Sequence, residues 1–152
     1  MSAAPVERGH KGNSNRIPGE GIACDICHGE DGAGLLAATD RSKGYLFLPL
    51  WGADSFNAGA GMHRVLTAAR FIKARMPLGE PDLTDDQAFD VAAYISDQPR
   101  PEMPNLDQDY PELSVKRIDS PYGPFVDDFP LEQHRFGPFP PIEAYYESLE
   151  TR

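Results

Sequence analysis

The chain has 152 residues, enough for one hydrophobic core, and its formal charge of −10 excludes nonspecific binding to nucleic-acid phosphates. No uninterrupted apolar run approaches a membrane span, and the opening MSAAPVERGH lacks the apolar core of a signal peptide. The only two cysteines lie three residues apart, which excludes a separate disulfide framework.

Residues 1–23 are dense in turn formers. A short helix can begin near Pro18, because proline is accepted in a first helical turn, but Gly19 and Gly21 work against a robust one. The next feature is CDICH, residues 24–28. Two thiols at this spacing can form thioethers with haem vinyl groups, and the adjoining imidazole of His28 can bind the iron. A thioredoxin-like dithiol would need a strand before the cysteines and a βαβ pattern, and the chain has little β-branched alternation. Zinc would need a convincing fourth ligand and usually more cysteine. The motif therefore predicts one covalently attached haem c on Cys24 and Cys27, with His28 as proximal ligand.

Glycine and aspartate after His28 predict a tight turn. The apolar segment YLFLPLW, residues 45–51, follows, and its proline bars it from a central strand. Tyr45, Phe47 and Trp51 either shield a haem edge or fill the core. Residues 58–75 place Val65, Leu66, Ala69, Phe71 and Ile72 in a helix-compatible pattern. Pro77 forces Met76 toward an extended conformation and so ends that helix. A thioether presented from such a loop is the strongest candidate for the second iron ligand, with core packing as its plainer role. Met62 and His63 are weaker candidates, and Met103, His134 and His10 rank below them. Thr84 opens the next helix with Gln87 three residues on, a capping box, and Ala88, Val91, Ala92 and Ile95 then share its inner face.

From Pro99 onward there are ten prolines, so helix is not expected before the final IEAYYESLE. Tyr122, Phe125, Phe129, Phe136 and Phe139 make this stretch too apolar for a solvated linker, and an ordered wrap is expected. The expected organisation is all-α: a monohaem cytochrome domain over residues 1–98 and a wrapping proline-rich extension over 99–152.

Two longer strings sharpen this expectation. YLFLPLWGADSFNAGAGMHRVLTAARFIKARMPLG and LTDDQAFDVAAYISDQPRPEMP resemble the methionine-ligated cytochrome domain of the diheme thiosulfate dehydrogenase family, and PYGPF and EQHRFGPF resemble its C-terminal extension. The resemblance runs over roughly residues 20–141. It implies a class I cytochrome c-like fold, haem on Cys24 and Cys27, and axial ligation by His28 and Met76. It also implies that Trp51, Asn57 and Arg75 lie near the cofactor. Family members carry a further haem with unusual cysteine ligation that performs the sulfur chemistry. Here both cysteines are consumed by attachment.

The expectation for function is therefore one-electron transfer, alone or as a subunit beside a sulfur-oxidising catalyst, with a redox protein or that catalyst as partner. Acidic residues outnumber basic ones thirteen to nine in 1–98 and eleven to five in 99–152, which suits a basic redox partner. A competing enzyme reading has the iron lose Met76 and bind thiosulfate, with Arg64, Arg70, Lys73 or Arg75 countering the anion. A third makes the haem a folding staple for an interaction subunit. Because c-type haem is generally attached after export, the expected location is periplasmic, with the native signal absent from this sequence.

Overall fold

The computed structural model describes residues 23–150 together with Pro5 and Glu7. The expected helix near Pro18 and the candidate His10 lie outside the described residues. The chain divides into two compact units, the first ending at Glu102 and the second beginning at Met103.

In the first unit a single turn, α1 (Asp25–His28), leads through a glycine-rich loop into β1 (Leu35–Leu36) and β2 (Tyr45–Phe47). The strands pair antiparallel, Leu35 opposite Phe47 and Leu36 opposite Tyr45, with an irregularity between the two pairs. This small sheet departs from an all-α reading. It stops before Leu48 and Pro49, where a proline nitrogen cannot donate to a ladder.

Two helices form the apolar centre, α2 (Val65–Arg75) and α3 (Asp85–Asp97). On α2, Val65, Ala68 and Ile72 are buried, a spacing of three and four that keeps them on one face. On α3, Ala88, Val91, Ala92, Ala93 and Ile95 are buried. The alanines let the backbones approach, while Val65, Ile72, Val91 and Ile95 supply roughly 1.5–3 kcal/mol each on burial. The α2 helix starts later than its composition suggests. Gly61–His63 form a 3-10 turn and Arg64 is extended, so the glycine-rich stretch leads into the helix instead of joining it.

The ends of α3 follow their sequence signals. The Thr84 hydroxyl accepts from the Gln87 backbone N–H, and the Gln87 side chain accepts from the Thr84 N–H. The helix stops at Asp97, two residues before Pro99. Past it, the Gly52 N–H donates to the Pro99 carbonyl at 2.7 Å and the Ala58 N–H to the Pro101 carbonyl at 2.8 Å.

The second unit contains two 3-10 turns, Leu106–Gln108 and Leu113–Val115, then α4 (Leu131–Phe136) and α5 (Pro140–Glu150). The terminal helix was expected and α4 was not. Between Pro130 and Pro138 seven residues carry no proline, enough for one short helix closed at Gly137. Polar groups as well as apolar ones build this interior. Lys116, 3% exposed, donates to the Pro124 carbonyl, and its ammonium lies 4.5 Å from the Tyr122 ring centre and 4.9 Å from that of Phe125. His134 is fully buried and stacks on Phe125 at 3.6 Å. Ile142 on α5 is fully buried as well.

Candidate functional site: the CDICH turn and its backing strap

Cys24, Cys27 and His28 sit on one helical turn. The His28 N–H donates to the Cys24 carbonyl at 2.9 Å, closing the turn, so residues three and four apart share a side. Both cysteines are half-buried and neither is in a disulfide. Three soft or borderline donors thus occupy one short segment.

The orientation of His28 is fixed from behind. Its Nδ1 lies 2.7 Å from the Leu48 carbonyl oxygen. A carbonyl only accepts, so Nδ1 carries the proton and Nε2 keeps the lone pair. A hydrogen bond of this kind on the remote nitrogen is what orients metal-binding histidines and raises their basicity. The Phe47 ring stands edge-on to the imidazole, with centroids 6.2 Å apart. These features fit a c-type haem site by donor chemistry: two thiols for attachment and one imidazole nitrogen prepared to bind iron.

Residues 47–51 act as a strap across the back of the loop. The Gly34 N–H donates to the His28 carbonyl, and the Leu50 N–H to the Gly32 carbonyl at 2.8 Å. Gly32 has φ +61° and faces the Trp51 indole so closely that a Cβ there would lie 2.2 Å from Cε2. Trp51 is buried and packs edge-on against Tyr94 of α3, at 5.5 Å between ring centres. The indole therefore joins the CDICH loop to the helical core. Nothing in the residue types marks Leu48, because its contribution is a backbone oxygen. Tyr94 escaped notice for a different reason: it lies one position off the apolar periodicity of α3.

The other candidates separate by what their atoms touch. Met76 closes α2 as its C-terminal cap, extended at φ −119° and ψ 140°, half-buried, with its N–H donating to the Ile72 carbonyl. This is the conformation that Pro77 imposes on its predecessor. His63 is committed elsewhere: Nδ1 lies 2.7 Å from the Ala58 carbonyl and Nε2 3.1 Å from the Ser96 carbonyl. His134 is in the second unit, with Nδ1 at 2.7 Å from the Ile118 carbonyl and Nε2 at 3.0 Å from Asp127. Met62 is half-buried within the Gly61–His63 turn, and Met103 opens the second unit. Asn57 uses its side-chain oxygen to accept from the Gly59 N–H, a local turn. Arg75 is exposed at the end of α2.

No family model matches the chain. Similar proteins are found nonetheless. A thiosulfate dehydrogenase of Stutzerimonas stutzeri (strain A1501) is 55% identical over 84 residues, which is 55% of this chain and 26% of that protein. One from Allochromatium vinosum is 57% identical over 79 residues, 51% of this chain and 28% of that protein. Among solved structures, the as-isolated form of a thiosulfate dehydrogenase (TsdBA) from Marichromatium purpuratum superposes with a TM-score of 0.58 at 40% identity, covering 75% of this chain and 22% of that one. The chain thus spans about a quarter of the length of the relatives it matches.

Proposed function

We propose, for a chain that carries a cytochrome domain of the thiosulfate dehydrogenase family, the role of a single-haem electron carrier in thiosulfate oxidation. The observation that carries this reading is His28. Its Nδ1–H is held by the Leu48 carbonyl, and it shares one turn with the two cysteines.

In this reading Cys24 and Cys27 would hold one haem c through thioethers, and His28 through Nε2 and Met76 through its sulfur would be the iron's ligands. The bound haem supplies one-electron exchange between ferrous and ferric iron. The chain's own groups set the conditions for it. The Leu48 carbonyl holds the imidazole in orientation, and a methionine thioether favours the reduced state more than a harder donor would. The engagement of both nitrogens of His63 and His134 by neighbouring groups supports Met76 over either histidine. The fold of the first unit is then that of a class I cytochrome c.

Both cysteines of the sequence belong to CDICH, so the chain has no further thiolate for a separate catalytic iron. Joining two thiosulfates into tetrathionate releases two electrons. A catalytic sulfur-oxidising partner performs that step, and this chain passes the electrons on one at a time. Covalent haem attachment generally follows export, which puts this work in the periplasm. Among the described residues no helix is long and apolar enough to cross a membrane.

The Met76→Ala variant of the purified holoprotein tests the ligand set. Loss of the methionine-to-iron absorption band and a large fall in reduction potential are expected. An unchanged spectrum removes Met76 from the site.

A further inference from the structure

We propose that the outer face of α2, continued by Leu78, is the surface where this chain exchanges electrons, and that it receives a redox protein presenting carboxylates around an apolar centre. The inference rests on the haem reading above and adds the place and charge of the partner.

The two central helices carry opposite charge. In α2 the ionisable residues are Arg70, Lys73 and Arg75, all basic; in α3 they are Asp85, Asp86, Asp90 and Asp97, all acidic, with Tyr94 neutral. Lys73 is exposed but engaged, donating to the Leu83 carbonyl and lying 3.7 Å from Asp85. Arg70 and Arg75 are exposed, with no ion pair among the described residues. Arg75 lies in the last helical turn, where the helix dipole favours a cation, but Arg70 lies mid-helix beyond its reach.

The apolar part of the surface is continuous with these cations. Phe71 is 44% exposed and sits four residues before Arg75, on the same side of the helix. Ala74 is exposed between Arg70 and Phe71 around the helix, and Leu78 is 77% exposed just past Met76 and Pro77. An apolar centre with a charged rim is the anatomy of a transient protein interface. Met76 is half-buried next to it in sequence, so a protein seated here approaches the proposed distal ligand.

The local sign reverses what the whole chain suggests. A net charge of −10 attracts a basic partner from afar, whereas this cationic face selects an acidic one at contact. Within a Debye length of about 10 Å at 0.1 M salt, the nearby charges decide.

Stopped-flow oxidation of the reduced holoprotein separates the two. The probes are hexacyanoferrate(III), an anion, and tris(phenanthroline)cobalt(III), a cation, each over a range of ionic strength. For the anion the rate constant is expected to fall as salt rises, and to drop about fivefold at low salt in Arg70→Glu. Arg117→Glu makes the same change of charge at an exposed residue of the second unit and is expected to leave that rate nearly unchanged. An anion rate that rises with salt overturns the proposal, as does an equal effect of the two variants or a shift in the Arg70→Glu potential that accounts for its rate. Sedimentation at the same low salt is expected to show a monomer. A dimer dispersed by Arg70→Glu would give the face to a second copy and overturn the acidic partner. A holoprotein with no reversible one-electron wave refutes the haem reading itself, whereas an intact wave with the opposite salt dependence refutes the docking surface alone.

Discussion

Gly32 shows how much of the site depends on atoms that carry no chemistry. Its φ of +61° disfavours any residue with a Cβ, and that Cβ would lie inside the Trp51 indole. Gly44 has a similar φ of +75°, but a Cβ there meets nothing within 4 Å. Gly32→Ala is therefore expected to cost about 2–4 kcal/mol, from backbone strain plus overpacking, and Gly44→Ala only about 1 kcal/mol. Denaturant titration of the holoproteins measures both, and equal costs would mean that Trp51 does not hold the loop. The CDICH motif was legible because covalent haem attachment demands those residue types at that spacing. The Leu48 carbonyl was not, since every residue offers the same backbone oxygen whatever its side chain. Trp51 was legible as a residue of importance. Its contact with Gly32 appears only when the strap folds back over the loop.

At the scale of elements, punctuation was read more reliably than composition. Thr84 and Gln87 set the start of α3, and Pro77 and Pro99 bounded the helices before them. Alanine content carried the expected α2 helix back to residue 58, but Gly59 and Gly61 break that stretch into a turn. The counting of prolines hid α4, because what matters is the gap between them. The terminal helix α5 brings a titratable group with it. Burial, followed by the negative charge of Asp127, pushes the Tyr146 phenol up to about 12. Free tyrosine ionises near 10, so between about pH 10 and about 12 the unfolded chain sheds this proton while the folded one retains it. The stabilisation is complete below pH 10 and is lost as pH rises toward 12. Tyr146→Phe should therefore flatten the alkaline fall in stability, followed by circular dichroism and tyrosinate absorbance. Tyr122 is displaced upward too, chiefly by burial, so the slope should shrink without vanishing. Lys116, displaced downward by burial, works in the opposite sense. An unaltered slope in Tyr146→Phe would show that its hydroxyl is solvated.

For the whole molecule, composition indicated one core and a second, proline-rich stretch without saying what would hold the latter together. A buried lysine against aromatic rings and a buried histidine paired with Asp127 do so. Such networks combine residues far apart in sequence, and no local period announces them. The charge balance was legible as a total but its distribution was not: every charged residue of α2 is basic and every one of α3 is acidic. The chain matches about a quarter of each related thiosulfate dehydrogenase, and electron transfer without sulfur catalysis is the division of labour proposed for it.

Spectroelectrochemical titration of the purified holoprotein, with and without thiosulfate, tests that division most directly. One reversible wave with a single-electron slope of about 59 mV per decade, unchanged by thiosulfate and without tetrathionate formation, is the predicted result. Rapid conversion of thiosulfate by the isolated chain, or a haem that does not cycle, would contradict it.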